Sequence, residues 1–129
     1  MSGNGFETQH WPLELRLKQA ERVLEIDFDD GSTFRLPAEY LRVESPSAEV
    51  QGHSPTQKQL VYGKAKVGIT KLEPVGNYAI RISFDDAHDT GIYSWVYLYK
   101  LGAEQETRWR DYLAEVKARG VSREPERRG

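Results

Sequence analysis

The chain has 129 residues, 18 basic and 20 acidic, a formal net charge of -2 and a hydrophobic fraction of 38%. This balance suits one globular domain with its own core and gives no global electrostatic case for nucleic acid. There are no cysteines, which excludes disulfides, thiolate metal sites, thiol nucleophiles and thiolate-held iron–sulfur clusters. No apolar run approaches the ~18 residues of a membrane span. Met1 to Gly5 has neither the basic flank nor the apolar stretch of a signal peptide, so a cytoplasmic protein is expected.

Residues 1–10 are small and polar and are expected to be a flexible start. Leu13, Leu15 and Leu17 then alternate with Glu14, Arg16 and Lys18, a period-two pattern for a half-buried strand. Leu24, Ile26 and Phe28 repeat it, Asp29-Asp30-Gly31 reads as a hairpin turn, and Phe34 and Leu36 continue on a third strand. Pro37 opens a short helix over 38–42, since its missing N–H is harmless in a first turn. Residues 45–65 have weak periodicity and read as a long loop. Val67, Ile69 and Leu72 resume the sheet, with a turn at Pro74-Val75-Gly76-Asn77. Tyr78, Ile80, Ile82 and Phe84 then alternate with Ala79, Arg81 and Ser83, which predicts the first set inward. The stretch 92–101 is open between strand and helix; Trp95, Leu98 and Tyr99 at helical spacing favour a helix. Trp109, Tyr112, Leu113 and Val116 form the stripe of a last helix, with Gly120 as its terminating residue. The tail 121–129 carries no evident anchor and is expected to be disordered, leaving 11–120 as a single domain. The expected fold class is α+β: an antiparallel β-sheet with C-terminal helices packed on one face.

Three pieces carry a resemblance: the strands around Asp29-Asp30-Gly31, the turn from Leu36-Pro37 to Leu41-Arg42, and Asp85-Asp86-Ala87-His88 leading to Ile92-Tyr93-Ser94-Trp95. In this order the chain is similar to the gamma-butyrobetaine hydroxylase-like N-terminal domain family, over roughly residues 12–116. The resemblance implies a zinc site of three cysteines and a histidine, with Ser45, Ser47 and Val50 in the thiol positions and His88 as the fourth ligand. Neutral hydroxyls and a valine do not replace soft thiolates, so the site is expected to be degenerate, with no zinc and no other cofactor. Larger relatives carry a catalytic domain with iron and 2-oxoglutarate, which needs a His-x-Asp pair. None of His10, His53 or His88 begins one, so that activity is not expected in this chain. The domain also resembles one appended to iron–sulfur carrier ATPases, which implies an accessory role in cluster handling as an alternative.

Each remaining signal has a plainer counterpart. His88, beside Asp86 and Asp89, is a weak candidate metal site, or a loop histidine bonded to its own turn. His53 lies in the long loop and is a second weak ligand candidate, or simply exposed. Tyr93, Trp95, Tyr97 and Tyr99 are core rings or a partner surface, with Tyr97 open between the two. Lys58, Lys64 and Lys66 beside Tyr62 read as a solvated face rather than a nucleic-acid site. Arg119, Arg123, Arg127 and Arg128 read as solubilising. No Gly-x-Ser-x-Gly elbow, assignable Ser–His–acid set or phosphate loop is present.

The sequence therefore points to a non-catalytic protein-interaction domain with a protein partner and neither nucleic acid nor membrane. Its expected working surface comprises His53, His88, Asp89 and Tyr97, where the 45–65 and 85–89 loops meet. A metal-binding accessory protein and a small enzyme with an unrecognised site are the alternatives.

Overall fold

The computed structural model describes residues 8–52 and 58–125. Among these, six strands and four helices follow one another in the order β1 Pro12–Lys18, β2 Val23–Phe28, β3 Thr33–Pro37, α1 Ala38–Val43, α2 Ala48–Gln51, β4 Ile69–Val75, β5 Ala79–Phe84, β6 Gly91–Ser94, α3 Trp95–Ala103 and α4 Gln105–Arg119. The class is α+β and every strand pair is antiparallel. The strands divide into two three-stranded sheets, β1-β2-β3 and β4-β5-β6, each a simple meander. Among the described residues no helix is long and apolar enough to cross a membrane.

The period-two pattern of β2 and β3 is what the core uses; in β1, Leu15 and Leu17 pack against it while Leu13, expected on the same face, is 71% exposed. Leu24, Ile26 and Phe28 from β2 and Leu36 from β3 are buried with Ile80, Ile82 and Phe84 from β5. Both sheets, α1 and α3 thus share one core, closed by Tyr40, Leu41, Tyr93, Leu98 and Leu101. Two of its phenols reach backbone carbonyls, Tyr40 to Leu101 at 2.6 Å and Tyr93 to Leu41 at 2.5 Å. Such bonds let a buried ring keep its hydroxyl without an unmet polar group.

Several expectations are corrected. The 92–101 stretch is both structures in turn: β6 ends at Ser94, whose hydroxyl accepts from the Tyr97 N–H at 3.0 Å and caps α3. The loop 45–65 contains α2, capped in the same way by Ser47. Pro74 and Val75 belong to β4 rather than to a turn. Tyr78, expected inward, is exposed, because it sits in the turn before β5 with its carbonyl accepting from Trp95 N. Ala79, expected outward, is fully buried.

The chain after α4 also departs from expectation. Gly120 terminates the helix in the left-handed conformation, φ 68°, as predicted. Residues 121–125, read as part of a disordered tail, are bonded to the domain. Gly63 N donates to Ser122 O at 3.0 Å and Ala65 N to Arg123 O at 2.9 Å. Arg123, read as solubilising, pairs with Glu39 of α1. The anchor is ionic, and its partner lies 84 positions away, beyond the reach of local pattern.

Candidate functional site

The two segments that carry the resemblance meet in space. α1 ends at Val43, and the chain turns through Glu44 and Ser45 into the capping residue Ser47 and α2. Opposite them, residues 85–90 join β5 to β6. This turn closes through its own backbone, with Phe84 N donating to His88 O at 2.9 Å and Ala87 in the left-handed region at φ 70°. Its geometry sends the His88 ring inward, where 7% of the residue remains exposed.

Four polar contacts stitch the segments together. The Ser45 hydroxyl lies 2.9 Å from His88 Nε2, and the Ser47 hydroxyl 2.8 Å from Thr90 Oγ1. Thr90 also donates to Glu49 Oε1 at 3.3 Å. Beneath them Asp86 accepts from Arg42 Nε at 2.9 Å and pairs with Lys64 Nζ at 2.6 Å. Asp86 Oδ1 additionally accepts from the backbone N–H of His88 at 3.3 Å. Val50, the third thiol position implied by the resemblance, is buried beside them on α2.

The electrostatics follow from this packing. Burial lowers the His88 pKa below its ordinary value, and the Arg42 guanidinium lowers it further; Glu49, Asp86 and Asp89 oppose this without reversing it. His88 is therefore held neutral. Burial pushes the Asp86 carboxyl up, but hydrogen bonds from Lys64 and Arg42 outweigh it and keep the group ionised below its usual range. Arg42 Nη1 is buried with no hydrogen-bond partner among the described residues.

Ser45, His88 and Glu49 stand in the sequence of contacts used for acyl transfer, a set that sequence spacing did not reveal. The arrangement fails as a nucleophile site on two counts. His88 Nδ1 is 3.7 Å from Glu49 Oε2, too long to orient the ring by hydrogen bonding. Ser45 is fully buried. A Cβ added at Gly91 would lie 2.8 Å from the Ser45 hydroxyl and 2.9 Å from the Tyr93 ring. The hydroxyl is thus walled in, and a reacting carbonyl has no room at the ~3 Å an attack requires.

Nor do these residues fit zinc. Two hydroxyls, one valine and one imidazole supply a single good donor, and Asp86 is taken up by two cations. Among the described residues no group of three or more His, Cys, Asp or Glu side chains is placed to hold a metal ion.

The other sequence-predicted residues are distributed unevenly. His53 lies outside the described residues. His88 is buried, so it fixes the loop from within and offers no ring to a partner, a correction to its place on the expected surface. Asp89 is exposed beside it. Tyr97 is half-buried, donating its hydroxyl to Glu44 O at 2.6 Å, with its ring centroid 6.2 Å from that of Tyr93. Trp95 is core, its indole N–H donating to Asn77 O. Lys58 pairs with Glu44 and Lys64 with Asp86, so both lysines are structural. Arg42, Glu49, Lys64 and Thr90 were missed as members of the joint. Arg42 and Thr90 lie inside the quoted segments, which was the available signal.

No functionally curated protein matches the chain. Two solution NMR structures align with it: one at 46% identity and TM-score 0.80 over 100% of this chain and 95% of that one, the other at 45% and 0.79 over 92% and 94%. A crystal structure from Acidithiobacillus ferrooxidans, described as a protein of unknown function in the DUF971 family, aligns at 45% identity and TM-score 0.61 over 72% of this chain and 93% of that one. The family model described as gamma-butyrobetaine hydroxylase-like, N-terminal, matches residues 15–99, which hold the strands, α1, the serine turn and the His88 loop. The chain belongs to the gamma-butyrobetaine hydroxylase-like N-terminal family.

Proposed function

We propose that this chain is a non-catalytic interaction domain, and that its contact surface is the ridge formed where α2 meets the 85–90 loop. The observation that carries this reading is the use made of the polar residues. Ser45, Ser47, His88 and Asp86 spend their hydrogen bonds on one another and on Arg42, Lys64 and Thr90. They fasten two loops together and leave no reactive group facing outward. What the ridge offers to solvent is Glu49, Asp85, Asp89 and Thr90, on a backbone locked to the core. Loops held on a rigid scaffold are where binding is commonly placed. The exposed carboxylates suit a partner that presents Lys or Arg.

The test is affinity capture with wild type and a Glu49→Ala/Asp89→Ala variant, both exposed positions, followed by binding measured with the identified partner in purified form. The reading expects the variant to lose the partner. Equal retention would remove the ridge from the interface, and failure of both to bind any purified partner would count against an interaction role. Two further measurements separate the alternatives. Labelling of Ser45 by a fluorophosphonate would favour an enzyme. Stoichiometric zinc surviving dialysis of untagged protein would favour a metal-binding accessory protein.

A further inference from the structure

The segment after α4 docks in a way that resembles a bound peptide. Gly120 ends the helix, and Val121 packs on the small cluster of Val43, Tyr112 and Val116. Ser122 and Arg123 then accept backbone hydrogen bonds from Gly63 and Ala65. The Arg123 side chain is gripped on two sides. Its Nε and Nη2 donate to the two oxygens of Glu39 at 2.8 and 2.7 Å. Its guanidinium carbon lies 5.3 Å from the centre of the Trp109 ring. Glu39 is the more telling partner, because its side chain is only 8% exposed while that of Arg123 is 41% exposed. A covered carboxylate on a helix, beside an aromatic plane and the N–H groups of Gly63 and Ala65, is a receptor for a planar cation carried on a bent segment of backbone.

We propose that the groove formed by Glu39, Trp109 and residues 63–65 recognises a peptide with an arginine two residues after an apolar side chain, and that the chain's own Val121–Ser122–Arg123 occupies it in cis. Main-chain bonds give the peptide its direction, the fork of the guanidinium selects arginine over lysine, and the Val121 position selects an apolar residue. The groove has room around the docked segment. A cavity of about 520 Å³ is lined by Tyr62, Gly63 and Lys64 and by Val121, Ser122 and Glu124 of the segment itself. Trp109 also lines an open groove with Tyr40 and Leu113. The self-docked segment competes through its high effective concentration, so a partner segment binds the intact chain more weakly than its intrinsic affinity. This site is separate from the α2 ridge and stands or falls without it.

The experiment uses the full chain. Wild type and Arg123→Ala are titrated with a free hexapeptide spanning residues 120–125, followed by the amide resonances of Gly63 and Ala65 and the Trp109 indole. The Arg123→Ala chain is expected to bind, with shifts at those three positions, and wild type to bind at least about tenfold more weakly. The same hexapeptide with alanine in place of arginine is expected not to bind. Arg123→Lys, which keeps the charge but not the two-pronged geometry, provides the same comparison if the alanine variant does not fold. No binding to either variant, equal binding by variant and wild type, equal binding of the arginine-free peptide, or shifts confined to other residues would each overturn the proposal.

Discussion

Two regions of the molecule are dense in ion pairs, and they work differently. On the outer face of the first sheet, Arg16, Glu25 and Arg35 sit side by side on β1, β2 and β3 in direct register. Arg16 bonds Glu14, Glu25 and Asp27, and Arg35 bonds Glu25 and Glu21. Hydrogen bonds from these arginines hold the carboxyls of Glu21, Glu25 and Asp27 below their ordinary range. Apart from Glu25, whose side chain is 15% exposed, the side chains of this network are 31–59% exposed, and an ion pair there largely exchanges one set of good partners for another. At the joint between the serine turn and the His88 loop, both members of the central ion pair are partly covered. The Arg42 side chain is 11% exposed and that of Asp86 20%. There each group depends on its protein partner, because removing one strands the other. A count of ion pairs would rank the sheet face first; the energetics rank the joint first.

The largest expected effect tests that ranking. Asp86→Ala removes the acceptor of Arg42 Nε, the partner of Lys64 and the acceptor of the His88 N–H in one step. Breaking a fully buried pair costs ~3–5 kcal/mol; the residual exposure of Asp86 and Lys64 lowers the expectation to about 2–3 kcal/mol. Urea unfolding of the variant against wild type measures it directly. Next comes Ser45→Ala, which leaves the buried His88 Nε2 without its serine partner and is expected to cost about 1–3 kcal/mol. If Ser45→Ala is neutral in urea unfolding, the serine–histidine bond does not hold the loop, and the joint rests on Asp86 and on the Ser47–Thr90–Glu49 contacts.

The difference between these regions is also a difference in legibility. The sheet face can be read from period two: Arg16, Glu25, Asp27 and Arg35 each stand between apolar residues that enter the core. Its hairpin turns keep partners close in sequence, so alternation implies contact. The joint cannot be read that way, since Ser45 and His88 are 43 positions apart and neither lies in a regular element. Resemblance singled out Ser45, Ser47, Val50 and His88, but not the Arg42–Asp86–Lys64 bracket that carries their charge. Arg123 escaped for the same reason, with its carboxylate distant on α1. At 92–101 the helical spacing of Trp95, Leu98 and Tyr99 was sound; the strand before it was hidden because Ser94 serves both as the end of β6 and as the cap of α3.

A smaller, pH-dependent effect separates the joint from the sheet again. The folded His88 pKa lies below its ordinary 6.5, so the unfolded chain takes up a proton first as pH falls. Its contribution is fully present above that value and is lost as pH drops toward the lower folded pKa. Asp86, lowered from 3.8, holds its contribution above that value and loses it only as pH falls below it, so it does not change between pH 5 and 7. Wild type is expected to lose stability from about pH 6.5 downward, and His88→Gln to lose less over the same interval. Chemical denaturation at a series of pH values between 5 and 7 decides it. Parallel curves for the two proteins would show that His88 accepts a proton in place as readily as in water.

The smallest effect is expected at Arg35→Ala, on the sheet face. Arg35 reaches Glu25 and Glu21 across exposed positions, and Glu25 retains Arg16 and Lys18 when it is gone. The loss should be minor at low salt and fade toward nothing in 1 M salt, where the screening length is ~3 Å. Asp86→Ala, by contrast, should keep more of its penalty in salt, because the Arg42 side chain is 11% exposed and partly covered pairs are screened less. Running both variants at low and high salt sets the regions against each other in one experiment. An Arg35→Ala penalty that persists in salt would have to come from packing rather than charge. That packing would lie in the aliphatic stem of the side chain, since the bond from the Gln105 side-chain amide to Arg35 O at 3.1 Å is to the backbone and survives the substitution.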